Sequence, residues 1–292
     1  MPKPSGRRVI LYPISDPHGG YRFGLMRPGI QLPPLDPDEK YHQPTATAFQ
    51  RRIWKHFLED LEFVKDLAGD DEVLLLIIGD VIQGSVLPHG MLVTPRASDQ
   101  KHIIEDALEP IFSLPNLKTV RLVKGTGAHT NRHGSAELEL AKHIRDKYGK
   151  DAKTHYHYKL NVAGVSIDMS HHGPATGIRP WLTGDEIRRY LKAIMMRELM
   201  GGKVPPKIVL RGHYHDRTIE HVHMAGVEGQ LFDSWGIVCP GYSLFTDDYT
   251  LKATRSKDYM TVGTMPIEIV DGRVKDVFDR AHTIHVARRE SL

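Results

Sequence analysis

An apolar run without polar alternation near the amino terminus constrains the fold more than any other stretch of this chain. Residues 10–14 are Ile-Leu-Tyr-Pro-Ile, and Ser15, Asp16 and His18 lie directly after them. A strand of this kind is buried on both faces, as in sheets that helices cover. The carboxyl ends of strands form the edge at which open α/β sheets bind their ligands. The sequence therefore predicts an α/β fold that presents Asp16 and His18 at such an edge.

Four later segments repeat the design of an apolar run followed by Asp or His. They are residues 73–80 (VLLLIIGD), 120–129 (VRLVKGTGAH), 165–173 (VSIDMSHHG) and 208–215 (IVLRGHYH). Carboxylate oxygens combined with imidazole nitrogens suit divalent transition metals. The glycines among these residues permit tight turns where the backbone passes close to a ligand. Five strands that each end in such side chains predict a metal site at the edge of a sheet.

Segments with helical spacing separate these strands. Apolar side chains three and four residues apart predict helices over residues 45–68, 99–112, 135–148 and 185–200. The first helix connects two of the apolar strands, so these two strands should be parallel. Long active-site loops are predicted near 21–43, 81–98 and 174–186. We interpret residues 1–292 as a single domain, which is a length that one large α/β core can occupy.

Composition restricts the class of protein further. The chain is 40% hydrophobic and 26% charged, as is ordinary for globular proteins, and its formal net charge of +3 does not by itself indicate nucleic-acid binding. The single cysteine, Cys239, excludes an intrachain disulfide and is typical of a reducing compartment. Because no apolar run approaches the ~20 residues of a membrane span and the opening residues lack a signal-peptide pattern, we expect a cytoplasmic protein without membrane partners.

The five segments together are similar to a known family. Their order, Asp-x-His, Gly-Asp, Gly…His, His-His-Gly and Gly-His-x-His, resembles the calcineurin-like metallophosphoesterases over residues 8–245. The resemblance implies a four-layer α/β/β/α sandwich of two mixed sheets. It also implies a hydrolase that uses two metal ions to cleave phosphate esters, with a metal-bridging hydroxide as the nucleophile. Paired cations suit this chemistry because they activate water and neutralise phosphoryl charge.

The resemblance further implies a role for each motif residue. Asp16, His18 and His215 would bind the first metal, and Asp80 would bridge both. His213 and one histidine of the fourth motif would bind the second metal. His172 is the preferred choice for that ligand, and the adjacent His171 is the alternative.

The third motif departs from the family pattern, which is Gly-Asn-His followed by an acid. Here residues 125–131 are Gly-Thr-Gly-Ala-His-Thr-Asn, so the usual Asn ligand is missing. The segment resembles a Gly-Thr-x-x-His variant of phage-related and bacterial members. Two roles for His129 stay open, as a ligand of the second metal or as the general acid for the leaving oxygen. Thr126 or Asn131 would then supply the missing oxygen ligand.

The ligand types and the family resemblance indicate the class of metal ion and the class of substrate. Manganese is the expected cation from the family, and Fe, Zn, Ni, Co or Mg also fit the oxygen and nitrogen ligands. The favoured substrate is a phosphodiester, in a nuclease-like version a nucleic acid. The alternatives are a phosphomonoester on a nucleotide or phosphoprotein, and an inactive scaffold of the same fold. Arg179 and Trp181 are candidate substrate contacts, since a guanidinium can bind phosphate and an indole can stack on a base. The alternative is that Arg179 is an ordinary surface arginine and Trp181 a tryptophan that packs in the fold.

Overall fold

The computed structural model describes residues 7–34, 38, 40–85, 89–130, 135–174, 184–226, 229–244 and 259–286. The strands are β1 (Arg8–Ile14), β2 (Glu72–Ile78), β3 (Leu117–Val123), β4 (Asp151–His155), β5 (His157–Val162), β6 (Val165–Ser170), β7 (Ile208–Arg211), β8 (Thr218–Ala225), β9 (Leu231–Val238), β10 (Tyr259–Thr264), β11 (Ile267–Val270), β12 (Arg273–Val277) and β13 (Arg280–His285). The α-helices are α1 (Ala48–Ala68), α2 (Ala97–Phe112), α3 (Ala136–Tyr148) and α4 (Asp185–Met200).

Two mixed sheets carry the five predicted apolar strands. The first sheet has the strand order β12-β11-β1-β2-β3-β4, and the second has the order β5-β6-β7-β9-β8. Strand β1 pairs in parallel with β2 and antiparallel with β11. In the second sheet, β6 and β7 are parallel neighbours. The carboxyl ends of β1, β2 and β3 therefore share one edge of the first sheet, and those of β6 and β7 share one edge of the second.

Helix α1 makes the crossover that keeps β1 and β2 parallel, as predicted. It begins at Ala48 because Thr47 caps it: the Thr47 hydroxyl accepts from the backbone N–H of Gln50, and the Gln50 side chain accepts from the N–H of Thr47. This reciprocal pair satisfies two donors that a helix start otherwise leaves unpaired. Gly69 ends the helix with φ of 53°. The predicted helix over 45–68 is thus confirmed, with its start displaced to the residue after the cap.

Alternate side chains of β1 enter two different cores. Ile10 and Tyr12 pack with buried residues of the first three helices, such as Phe57. Val9 and Leu11 face the opposite way and pack with buried residues of the second sheet. This period of two is the ordinary geometry of a strand that is covered on both sides.

The outer face of the second sheet is covered as well. Leu191 and Met195 of α4 pack with Val209 and Val222 of β7 and β8. The layers therefore run helix, sheet, sheet, helix, which confirms the predicted α/β/β/α sandwich of two mixed sheets. None of the helices in the described ranges is long and apolar enough to cross a membrane. The single-domain assignment of residues 1–292 stays a prediction.

Candidate metal centre

The backbone turns sharply where the strands end. Non-glycine residues with positive φ are uncommon, and each costs on the order of 1–3 kcal/mol. Five of the candidate ligands adopt this conformation: Asp16 (48°), His18 (43°), Asp80 (48°), His213 (73°) and His215 (48°). In the described part of the chain only Ala163 and Asp271 otherwise do so among non-glycine residues. Strain of this kind concentrates at functional sites, so the strand ends form the candidate site.

Two glycines allow these strand ends to approach one another. A Cβ atom at Gly125 would lie 2.0 Å from Oδ1 of Asp80, and one at Gly212 would lie 2.1 Å from Oγ of Ser15. Both distances are far inside van der Waals contact, so larger residues would push the loops apart. The glycines of the third and fifth motifs thus leave the space in which the loops pack closely around the two carboxylates.

The first ligand group surrounds Asp16. Its members are Asp16, His18 and His215, whose ligand atoms lie within 4.8 Å of one another. Oδ1 of Asp16 is 3.5 Å from Nε2 of His215 and 3.7 Å from Nε2 of His18. This oxygen is buried and accepts no hydrogen bond from the described residues. A buried carboxylate oxygen facing two imidazole nitrogens fits a cation, because a cation would satisfy all three lone pairs.

Hydrogen bonds behind this group hold its ligands in place. The hydroxyl of Ser15 and the backbone N–H of His213 both donate to Oδ2 of Asp16, the latter at 3.0 Å. Ser243 donates to the backbone carbonyl of Asp16 at 2.9 Å and accepts from Nδ1 of His215 at 3.1 Å. The second bond leaves Nε2 of His215 unprotonated and aimed at Asp16. Ser243 was not identified from the sequence, since no motif surrounds it.

The second ligand group consists of Asp80, His171 and His213 and joins the two sheets. Nε2 of His171 lies 3.0 Å from Oδ2 of Asp80, and 3.2 Å from Nδ1 of His213. Nδ1–H of His171 donates to the carbonyl of Ile78 at 2.7 Å, so Nε2 is the nitrogen free to bind a cation. Asp80 itself accepts from the backbone N–H of Thr126 through its other oxygen.

The two groups are adjacent. Nε2 of His171 is 4.0 Å from Oδ1 of Asp16, and Nε2 of His18 is 4.0 Å from Oδ2 of Asp80. Each carboxylate therefore faces ligands of both groups. The two groups thus form one continuous cluster of side chains that could hold metal ions.

His129 lies at the rim of this centre. Its Nε2 is 3.8 Å from Oδ2 of Asp80, and its ring meets that of His18 edge-on at 4.7 Å between centroids. Nδ1–H donates to the carbonyl of Gln83 at 2.7 Å. His18, Asp80 and His129 form a further group of potential ligands. The structure thus brings His129 to the site, with Nε2 as the atom that faces it.

The two histidines of the fourth motif differ in environment. His171 is buried beside both carboxylates, whereas His172 is exposed, with its ring 4.6 Å from that of His213. His171, His172 and His213 nevertheless form a group whose ligand atoms lie within 4.8 Å of one another. The preference for His172 as ligand stays a prediction, beside a more deeply placed His171. Asn131, Arg179 and Trp181 lie outside the described residues.

Electrostatics keep the carboxylates ionised. Burial raises the pKa of Asp80, but the hydrogen bond and charge of His171 outweigh burial and bring it to about 2. The pKa of Asp16 also lies well below its usual range, because interactions with the surrounding histidines outweigh burial. Burial lowers the pKa of His171, yet Asp16 and Asp80 raise it to about 9 overall. Burial lowers the pKa of His215 to about 3. Ionised carboxylates and a neutral His215 are the forms that bind cations.

Comparisons with known proteins do not assign this chain to a family. Neither a family model nor a curated protein matches the chain. Among solved structures, the sulfate thiohydrolase SoxB of Thermus thermophilus, in complex with glycerol, is 11% identical with a TM-score of 0.38, over 95% of this chain and 56% of that chain. This chain thus spans little more than half the length of SoxB. Protein TM1076 of Thermotoga maritima is 14% identical with a TM-score of 0.32, over 96% of this chain and 99% of that chain. Likeness at this level carries no functional argument.

Proposed function

We propose that this chain is a metal-dependent hydrolase of phosphate esters, of the calcineurin-like metallophosphoesterase type. One observation carries the proposal: two adjacent groups of ligand atoms, built on Asp16 and Asp80, meet where the strand ends of two sheets face each other. The arrangement costs conformational free energy, since five of its residues have positive φ. A scaffold without catalysis has no need of such a centre.

The residues divide into two cation sites. Asp16, His18 and His215 would hold one cation, and His171 and His213 would hold the other, with Asp80 shared between the two sites. His171 replaces the predicted His172 in this proposal because it is buried beside both carboxylates, whereas His172 is exposed. Separations of 3.0–3.7 Å between ligand atoms within the groups suit ligands that each lie ~2.1 Å from a common ion. Manganese is our proposed cation. Bound divalent cations lower the pKa of water and neutralise charge on phosphoryl oxygens.

The remaining groups of the site handle protons and orientation. Burial and the nearby charge of His18 lower the pKa of His129, so this imidazole is neutral at neutral pH. With Nδ1–H donated to Gln83, the lone pair of Nε2 points toward Asp80. This favours His129 as a ligand or proton acceptor over a proton donor. Asp80 is the residue on which the whole centre depends, because it belongs to both cation sites.

The substrate is proposed to be a phosphodiester, with a phosphomonoester as the alternative. Both present anionic phosphoryl oxygens to the same cations, so the chemistry of the centre serves either. The exposed Tyr214, whose ring lies 5.0 Å from that of His213, is available at the rim to contact the esterified group. The predicted loops near 21–43, 81–98 and 174–186 would select between the two classes.

The test compares two chromogenic esters. The purified chain is stripped with chelator, reloaded with Mn, Zn, Ni or Mg, and assayed with bis-p-nitrophenyl phosphate and p-nitrophenyl phosphate. We expect metal-dependent turnover that Asp80→Asn abolishes, and faster hydrolysis of the diester. Asp146→Asn, the same exchange on an exposed residue of α3, should retain activity. A chain that binds no cation contradicts the proposal, and bound cations without turnover of either ester support the scaffold alternative.

A further inference from the structure

Thr126 places a hydroxyl group inside the second ligand group. The residue follows Gly125 in the loop after β3, and its Oγ1 atom lies 3.2 Å from Oδ2 of Asp80. The same oxygen is 3.3 Å from Nε2 of His171 and 3.4 Å from Nδ1 of His213. The sequence left two candidates for the missing oxygen ligand, Thr126 and Asn131, and only Thr126 lies among the described residues.

Most of the separations among the four atoms are those of a coordination shell. Besides the three distances to Oγ1, the His171–Asp80 and His171–His213 pairs are 3.0 and 3.2 Å apart. Four ligands placed tetrahedrally at ~2.0 Å from a cation are about 3.3 Å from one another. Five of the six separations among these atoms, 3.0–3.4 Å, are close to the edges of such a tetrahedron, and the sixth, between Asp80 and His213, is longer.

The Thr126 hydroxyl has spare capacity beyond one hydrogen bond. It can donate its single hydrogen to Oδ2 of Asp80, and its lone pairs then remain available to a ring N–H or to a cation. Nδ1–H of His171 donates to the carbonyl of Ile78, which leaves Nε2 as the ring atom that faces Oγ1 of Thr126. The loop does not need the hydroxyl for its attachment either, because the backbone N–H of Thr126 already donates to the other oxygen of Asp80.

We infer that the hydroxyl oxygen of Thr126 is the fourth protein ligand of the cation held by Asp80, His171 and His213. The inference rests on the proposed function, since it concerns one of the two cations proposed there. A neutral hydroxyl is a hard oxygen donor, which together with one carboxylate and two imidazoles suits a divalent cation such as Mn²⁺, Co²⁺ or Zn²⁺. Thr126 keeps its proton in this role, so the charge of the ligand set remains that of Asp80 alone.

Equilibrium metal binding tests the ligand role without relying on activity. Chelator-stripped wild type, Thr126→Val, Thr126→Ser and Thr119→Val are titrated with Mn²⁺ and followed by calorimetry and metal analysis. Thr119 lies on β3 and serves as the matched exchange away from the site. We expect two equivalents in wild type, in Thr126→Ser and in Thr119→Val. In Thr126→Val one equivalent should remain tight and the other should weaken by about 10- to 100-fold, the range seen when a group that supports a metal site is removed.

A cysteine at the same position reports coordination directly. In Co²⁺-loaded Thr126→Cys, a thiolate bound to the metal would add a sulfur-to-cobalt charge-transfer band. Wild type should lack this band, because its only cysteine, Cys239, is buried in the core between the sheets. A band shows that the side chain at position 126 reaches the cation, and this readout does not depend on whether Thr126→Val folds.

The outcomes separate the two proposals. Two equivalents in wild type with unchanged affinities in Thr126→Val, or no charge-transfer band in folded Thr126→Cys that binds two Co²⁺ ions, overturn the Thr126 inference alone. Equal weakening in Thr126→Ser and Thr126→Val also overturns it, because serine retains the hydroxyl. A wild-type chain that takes up no cation overturns the proposed function together with this inference.

Discussion

His171 contacts Asp80 across the junction of the two sheets, with Nε2 of the imidazole 3.0 Å from Oδ2 of the carboxylate. His171 follows β6 of the second sheet, and Asp80 follows β2 of the first. The same imidazole donates to the carbonyl of Ile78, the last residue of β2. The candidate centre therefore exists only when the sheets are packed together, so ligands that bind it should stabilise the whole sandwich.

Replacing Ser243 by alanine should weaken the cation site at Asp16. The variant loses the hydroxyl that accepts from Nδ1 of His215 and donates to the Asp16 carbonyl. Loss of such a supporting group typically costs 10- to 100-fold in metal affinity. Calorimetric titration with Mn²⁺ measures the effect. Ser166→Ala removes a hydroxyl that accepts from Lys207 instead and should bind like wild type. Equal affinities in both variants would contradict the positioning role of Ser243.

Replacing Gly125 by alanine should disrupt the centre without touching a ligand. The added Cβ would lie 2.0 Å from Oδ1 and 2.2 Å from the backbone nitrogen of Asp80. Asp80 must then move, and a displaced ligand should cost at least about tenfold in cation affinity. Gly127→Ala is the matched control in the same loop, because a Cβ there meets no atom within 4 Å. Metal analysis after dialysis distinguishes the variants, and wild-type loading of Gly125→Ala would refute the steric account.

Replacing Arg211 by methionine should destabilise the protein strongly. Arg211 and Asp168 form a buried ion pair 2.6 Å long, with side chains only 1% and 2% exposed. Removing one partner of such a pair leaves a buried charge and costs about 3–5 kcal/mol in the free energy of unfolding. Urea unfolding gives the value. Arg197→Met, an exposed arginine of α4, should change stability by no more than about 0.5 kcal/mol.

The double variant Arg211→Met, Asp168→Leu tests the origin of that cost. If the uncompensated carboxylate is responsible, removing it as well should recover much of the lost stability. A double variant as unstable as the sum of the single losses would instead assign the cost to packing around Arg211.

Acidification should destabilise the protein partly through His56. Burial and the nearby His282 lower the pKa of His56 from its ordinary value of 6.5, and this outweighs the opposing hydrogen bond that His56 donates to Glu59. The unfolded chain then binds the proton more readily than the folded chain. The contribution of His56 is therefore complete above pH 6.5 and is lost as the pH falls below that value. The melting temperature of His56→Gln should decline less steeply than that of wild type between pH 6.5 and 5.

A matched histidine exchange controls for that measurement. His223→Gln changes an exposed histidine on β8 and should leave the slope of melting temperature against pH as in wild type. Identical slopes in wild type and His56→Gln would assign the acid sensitivity to other groups.

Local patterns were sufficient for the helices and the buried apolar strands, whereas the four layers were expected from the family resemblance. Apolar runs such as residues 73–78 predicted buried strands, and helical spacing predicted the four α-helices found in the described ranges, because both depend on residues that are close in sequence. The parallel pairing of β1 with β2 followed from the helix between them. The antiparallel pairing of β11 with β1 did not, since those strands are far apart in the chain and no periodicity records their contact.

The candidate metal centre shows the same division between features set by local sequence and features set by tertiary contacts. The sequence by itself determined which side chains stand at the strand ends, since Asp16, Asp80 and His213 directly follow apolar runs or their glycines. Only the tertiary structure decided which atoms meet: that His171 faces Asp80, that Ser243 orients His215, and that the backbone of His213 donates to Asp16 from 197 positions away. The physical reason is that these contacts depend on how two sheets pack through a common core, and packing over such distances leaves no local signal in the chain.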